Sequence, residues 1–584
     1  MMHLIKAVQI RWRLISIFAA PLFLLPVAFS IGGKAGWCAY VILWMAFYWS
    51  AEVIPLPITS LMPVVLFPLL GILSSTQVSS FYFNDIGILM MCAMILAAAV
   101  ETSNLHKRIA LKSLLVIGTS NRRLLLGFML VTMFLSMWIP NIAAASIMTP
   151  IAMAVVDQIR DSSTAASCDE KRLVQDVEKA VPSALASDEL SCSSNDRCDD
   201  RRTKLLRSTM VLGVAYATSI GGTGTLVGTA PNVVLKGIFD DTFPGSTEIT
   251  FVTWLLYNAP TMLLCALLSW AYMQWNARDA MSSEPESSTE EKVREEIAWR
   301  YKELGKISFA EICVSVLMAA MILLWFAMKP QIFPGWADAL PHGNLVKNSV
   351  PVALATLVLF VIPRDPRNPW QSAPLLTWPE AVERVRWGVM ILVGGGMTLA
   401  EACKQSGLSS MLVENMKGLE VLPPAVTAFL FCFAASMFTE ITSNTAVSSI
   451  ILPVVCDMAV ALRLHPLYLA MPAAVACSFS FIIPAGTPPN AIAYDMAKLS
   501  ISDMAKPGFF VNTICVLVEM AMIHALGFPI FGLWTFPEWA DPDGGSESSG
   551  LISDAIRNFS VESFMTTTTT MTATFLAANS TSIL

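Results

Sequence analysis

Apolar residues in this chain come in long, nearly unbroken runs, without the period-2 or period-3.6 alternation of half-buried strands and helices. The runs fall near 14–32, 36–54, 56–74, 84–102, 109–117, 123–157, 205–236, 250–275, 308–328, 348–363, 386–403, 422–440, 444–463, 468–497 and 508–535. A helix crossing a hydrocarbon core needs about 20 apolar residues. Many runs meet that length, while several are too short or too rich in Gly and Pro to be simple spans. The pattern predicts an all-α polytopic membrane protein with about 11 spans.

Polar stretches divide the runs. One, 158–204, mixes both signs with many Ser residues, and another, 276–307, is Ser- and Glu-rich before turning helical around Glu290–Glu296. Both read as solvated cytoplasmic segments. Lys6, Arg11 and Arg13 precede the apolar run Leu14–Ile31, which reads as a first span rather than a cleaved signal and predicts a cytoplasmic N-terminus. The division that follows is 1–157 (scaffold helices, a first hairpin and a first broken helix), 158–204 (polar loop) and 205–275 (rest of a first repeat). It continues with 276–307 (acidic loop), 308–536 (second repeat) and 537–584 (a Ser/Thr-rich tail predicted to be disordered). Sequons at Asn558 and Asn579 in that tail are glycosylation candidates and, with an odd number of crossings, predict an extracellular C-terminus.

Composition agrees: 55% hydrophobic, 14% charged, mean hydropathy +0.61. The net charge of −7 sits mostly in the two polar loops, and no basic stripe suggests nucleic acid. Of the 12 cysteines, Cys38, Cys92, Cys265, Cys313, Cys432, Cys456, Cys477 and Cys515 lie in apolar runs as small hydrophobes. Cys168, Cys192 and Cys198 share the first polar loop. With no Cys/His cluster and no nucleophile–base pair, neither a structural metal nor an enzyme is indicated, and no organic cofactor.

The most telling feature is a repeat. Gly87–Glu101 is matched by Gly388–Glu401, Pro140–Pro150 by Ser443–Pro453, and Gly228–Asn232 by Gly486–Asn490, in the same order. The offsets are 300 for Glu101 and Glu401, 303 for Asn141 and Asn444, and 258 for Asn232 and Asn490, the drop reflecting the 158–204 insertion in the first half. An odd number of crossings between equivalents makes the halves inverted. Pro-Asn or Ser-Asn-Thr inside an apolar span breaks the helix, which is tolerated only against protein or a watery cavity. The break exposes N–H donors suited to a carboxylate and carbonyls suited to sodium. The repeated segments carry no Lys or Arg, so anion charge has to be met by dipoles and cations. Glu440, beside the second break, reads equally as a cation or proton site and as a packing partner. His106, beside Lys107 and Arg108, reads as interfacial.

At these motifs the chain resembles the divalent anion:sodium symporter family, in its animal sodium/dicarboxylate and citrate cotransporter branch. The resemblance runs to about Phe536 and includes Glu101–Leu111, Ser219–Gly228, Tyr301–Glu311, Phe333–Trp336, Trp387–Gly396, Thr439–Thr445 and Ile483–Asn490. It implies a homodimer in the lipid bilayer of the plasma membrane, with a scaffold, an elevator-type transport domain, and two re-entrant hairpins near 84–102 and 387–404. It also implies co-transported sodium held by Ser136, Asn141 and backbone near Gly224 and Gly228, and by Thr439, Thr442, Asn444 and Gly486. Substrate carboxylates would meet Asn141, Ser443, Asn444 and Thr445, with Pro488 lining the pocket.

One departure stands out. The family's first motif is Ser-Asn-Thr, and here it is Pro140-Asn141-Ile142. Two hydroxyls and an N–H are missing. Sodium-coupled transport of di- or tricarboxylates is the expected function. A sulfate or other oxyanion carrier, a weakly sodium-coupled exchanger, and a transport-incompetent membrane scaffold are the alternatives.

Overall fold

The structure, a computed structural model, describes residues 2–117, 120–178, 191–281, 287–328, 334–415, 422–484 and 486–541. Every regular element among them is helical, and the one pairing of extended backbone is an isolated bridge between Pro363 and Pro374. Eight helices there are long and apolar enough to cross a membrane. Shorter apolar helices, Leu56–Leu69, Ser349–Val361 and Pro466–Ala476, accompany them.

Burial sorts these helices into layers. Protein covers 11% of the Trp12–Ile31 window and 22% of Phe309–Phe326, but 61% of Ser75–Thr102 and of Asn444–Ala461. Phe18, Phe23 and Phe29 on the first helix stand exposed. Apolar surface of that extent is stable in lipid and not in water. The outer helices therefore present the membrane face, and the inner ones carry polar residues that lipid would not tolerate.

The segments expected to be hairpins, 84–102 and 387–404, are each one continuous helix, Asp85–Thr102 and Trp387–Ser406. The reversal comes after them. Asn104 (φ 58°) leads into Leu105–Ile117, and Gly407 (φ 78°) into Leu408–Asn415. Asn and Gly are the residues that enter the left-handed region at least cost. The hairpin of each half is thus a helix, a left-handed turn and a second helix, with its reversal beyond the expected segment rather than within it.

The Gly394-Gly395-Gly396 run explains how the second hairpin docks. A Cβ at Gly394 would lie 2.7 Å from the Tyr82 ring, one at Gly395 2.7 Å from the Ser60 carbonyl oxygen, and one at Gly396 would overlap Ser449. The helix meets three other segments at backbone distance, and only Gly permits that. Elsewhere, Arg108 pairs with Glu311 at 3.1 Å, donates to the carbonyls of Leu304 and Gly305, and lies over the Tyr301 ring. Two of the sequence motifs are therefore one buried contact. His106, read as interfacial, is buried and its Nδ1 lies 2.9 Å from the Val100 carbonyl.

The polar stretches are more helical than expected. Asn141–Glu178 runs on past 158, and Ser191–Gly222 begins before 204, leaving 179–190 between them. The side chains of Cys168, Cys192 and Cys198 lie outside the described residues. In the second stretch, Ser287–Glu303 is an amphipathic helix whose Val293 and Ile297 are buried in the core. Asn558 and Asn579 also lie outside the described residues.

Gly395→Ala forces a methyl against a backbone oxygen that side-chain rotation cannot move. Overpacking of this kind costs about 1–3 kcal/mol, and the expected outcome is a lower unfolding temperature of the detergent-purified protein. An unchanged temperature would show that the contact yields.

Candidate functional site

Four helices start where an apolar run is interrupted. Asn121–Ser136 ends and Asn141–Glu178 begins after Pro140; Pro424–Ile441 ends and Asn444–Ala461 begins after Ser443. Between Gly222 and Ala230, and between Ala476 and Pro488, the chain leaves the helix and re-enters at Thr229 and Thr487. Ser443, Thr229 and Thr487 occupy N-cap positions without making a side-chain cap. The first-turn N–H groups of Asn444–Ala461 are therefore not consumed by a cap, whereas Pro231, Pro488 and Pro489 have no N–H and the Asn490 N–H donates to the Thr487 carbonyl. All these starts carry the positive end of the helix dipole.

The two halves repeat at atomic detail. The Ser136 hydroxyl lies 2.7 Å from both Asn141 Oδ1 and the Thr218 carbonyl oxygen. The Thr439 hydroxyl lies 2.8 Å from Asn444 Oδ1 and 2.7 Å from the Cys477 carbonyl oxygen. A hydroxyl has one hydrogen and can donate to one of its two acceptors at a time. Each half thus gathers three oxygens with lone pairs in excess of donors. Asn232 Nδ2 donates to the carbonyls of Gly222 and Thr225, and Asn490 Nδ2 to those of Ser480 and Ile483, at the same sequence offsets. The other amide oxygen of each, and the hydroxyls of Ser219 and Ser478, are buried without a partner. Hydroxyl, amide and carbonyl oxygens in this state are ligands for a hard cation such as sodium.

Glu440 has a definite place. Its carboxylate accepts from the backbone N–H groups of Phe481 (2.7 Å), Ile482 (2.9 Å) and Ile483 (3.2 Å), from Asn512 Nδ2 (3.2 Å) and from the Ser480 hydroxyl (3.3 Å). Carbonyls of this unwound segment are tied by Asn490, and its amides by Glu440. The side chain is a positioning group for the backbone beside Gly486. Met137 stands at the matching position of the first half. There the unwound segment is held instead by Thr225 donating to the Met137 carbonyl and Trp254 Nε1 donating to the Thr223 carbonyl.

All four helix starts open on one cavity of about 730 Å³. Asn141, Gly228, Ser443, Asn444, Thr445, Gly486 and Pro488 line it, as do Pro140 and Ile142. Ser136 and Thr439 sit behind Asn141 and Asn444. Thr442 lines the cavity, but its hydroxyl donates to the Trp49 carbonyl and joins no oxygen cluster. Gly224 does not line the cavity; a Cβ there would strike Met262 and Met137, so its lack of a side chain serves packing. Residues not anticipated are Glu52, Trp138, Thr229, Thr487, Arg386 and the hairpin face of Met90, Ala93, Met94 and Ala97. Thr229 and Thr487 were within reach of sequence reasoning, because each precedes a duplicated Pro-Asn.

Fold and site together define a membrane carrier, with ligand groups held in interrupted helices around one central cavity. The family model described as "Sodium:sulfate symporter transmembrane region" matches residues 8–533. Na(+)/dicarboxylate cotransporter 3 of Homo sapiens is 37% identical over 91% of this chain and 94% of its own length. The Na(+)/citrate cotransporter of Rattus norvegicus is 36% identical over 90% and 96%. The solved structure of MtrF from Neisseria gonorrhoeae, 13% identical, aligns over 87% of this chain and 99% of its own with a TM-score of 0.51, a likeness of fold. The chain belongs to the divalent anion:sodium symporter family, in the animal branch of sodium/dicarboxylate and sodium/citrate cotransporters.

Glu440→Gln keeps the shape but loses the negative charge shared among five donors. A hydrogen bond to a charged group is worth about 1.5–3 kcal/mol. The variant is expected to unfold at lower temperature and to transport less at equal surface abundance; wild-type values for both would remove Glu440 from the site's support.

Proposed function

We propose that this protein carries di- or tricarboxylates of the succinate and citrate class across the plasma membrane in symport with sodium. The observation that carries the reading is the convergence of four helix N-termini on one cavity whose walls also hold two matched clusters of oxygen ligands. The starts at Asn141 and Asn444 supply donors, all four starts supply positive potential for carboxylates, and the oxygen clusters supply sites for the cations that neutralise them. Anion and cation then occupy neighbouring positions and stabilise each other, which is the physical basis of coupling. Sodium is cargo here, bound with the substrate and released with it. Asn141 and Asn444 belong to both sets, each joining an oxygen cluster through its Oδ1 and lining the cavity.

The finer reading is an inverted repeat with about 11 spans, re-entrant hairpins and an elevator-type movement of the hairpins and interrupted helices against the outer helices. The protein is a homodimer with its N-terminus cytoplasmic, its C-terminus extracellular, and Asn558 and Asn579 as glycosylation sites. Support comes from the duplicated network and from the bare apolar faces of the outer helices.

The Pro140 and Ile142 side favours a second reading, a carrier with altered anion choice or weaker sodium coupling, sulfate or another oxyanion included. Two hydroxyls absent from a charged ligand lower affinity about tenfold or more each. A transport-incompetent scaffold is less well supported, because the second half keeps every element of its network.

Radiolabelled succinate, citrate and sulfate uptake in cells, with sodium or with choline in its place, tests the reading. Sodium-dependent carboxylate uptake is expected; uptake that survives choline would sink symport. Asn444→Ala should lower uptake to that of cells lacking the protein, with surface abundance kept. Pro140→Ser together with Ile142→Thr should lower the half-saturating substrate concentration about a hundredfold, and an unchanged value would mean that the first motif does not reach the anion.

A further inference from the structure

Among the described residues, two charged side chains line the cavity, Glu52 and Arg386. Arg386 is the residue at which the second hairpin begins, just ahead of Trp387–Ser406, and its backbone is not helical (φ −86°, ψ 78°). Its neighbour Arg384 takes the nearby carboxylate, pairing with Glu101 at 3.5 Å. Arg386 itself is half-buried and within electrostatic reach of Glu101, but its guanidinium makes no hydrogen bond and no ion-pair contact among the described residues. Glu52, exposed at the end of helix Gly33–Ala51, forms no ion pair with it.

A half-buried guanidinium whose donors make no hydrogen bond to protein is costly. Its five donors form a planar fork that matches a carboxylate. In a cavity that suits an anion, the acceptor that completes this fork is the anion. On the proposed reading the helix starts of each half take one carboxylate, and Arg386 belongs to neither set. It stands on a different element and brings the cavity a fixed positive charge that does not depend on sodium. The same chain lacks hydroxyls at Pro140 and Ile142, so donors are scarce on the first-half wall.

We infer that Arg386 is a specificity-determining residue that pairs with a further carboxylate of the bound anion, so that the cavity selects tricarboxylates over dicarboxylates. The inference rests on the carboxylate reading of this site.

Arg386→Gln and Arg386→Lys test it, with concentration series of citrate and succinate in sodium and surface abundance measured alongside. Arg386→Gln should raise the half-saturating citrate concentration about tenfold or more and that of succinate by a smaller factor, with Arg386→Lys recovering part of the loss. No shift, or the same shift for both anions, overturns the inference while leaving sodium-coupled carboxylate transport standing. Wild-type cells that take up neither carboxylate would instead overturn that wider reading. Thermal unfolding of the purified protein in graded citrate then decides on Arg386 independently. Stabilisation of the wild type that is lost in Arg386→Gln supports the pairing; equal stabilisation of both, or of neither, overturns it.

Discussion

A helix interrupted inside apolar surroundings leaves backbone donors and acceptors with no water to satisfy them, and everything else in this protein is arranged around that constraint. Each unpaired buried group costs more than a made hydrogen bond returns. Four interruptions concentrated in a single region would be ruinous unless protein side chains and bound ions completed them. Asn232 and Asn490 close the carbonyls of the two unwound segments with the same geometry. Beside them, Gly228, Thr229, Gly486 and Thr487 line one cavity. The groups that would destabilise an ordinary membrane helix are here gathered around that cavity.

The halves solve the same problem with different chemistry. In the second, Glu440 gathers three backbone N–H groups, an amide and a hydroxyl, so that segment is pinned by a charge. In the first, Met137 offers only its carbonyl, and an indole and a threonine hydroxyl do the holding. Pro140 and Ile142 add to the difference by replacing donors with apolar surface. The cavity is therefore lopsided, with the stronger polar wall on the second half. Arg386 enters from the second hairpin and adds to that side of the balance.

The outer parts of the molecule make the cavity possible by holding the hairpins close. Three consecutive glycines let Trp387–Ser406 touch Tyr82, Ser60 and Ser449 at backbone distance. Asn84 of the first hairpin donates to the Met397 sulfur on the second. The Arg108–Glu311 pair, buried with carbonyl partners around the guanidinium, ties the first hairpin to the segment that follows the acidic helix. Such an arrangement fixes geometry more than it adds stability, because desolvating both charges offsets most of their attraction.

Much of this was legible in the chain. Long apolar runs dictate membrane helices because nothing else buries them. Duplicated Pro-Asn and Ser-Asn-Thr motifs dictate interruptions because Pro and Asn disrupt the backbone ladder locally. Asn141 and Asn444 could be singled out for that reason. Partners could not. That Ser136 reaches the Thr218 carbonyl 82 positions away, that Glu440 takes the amides of Phe481 to Ile483, and that Thr442 turns to Trp49 depend on which helices lie side by side. Nothing in the sequence sets Arg386 apart, since its meaning comes from a cavity whose other walls, from Ser50 to Ala491, are far from it along the chain. Local sequence dictates where backbone groups are set free, because that is a property of adjacent residues. Packing alone decides which groups meet there, because contact is a property of neighbours in space.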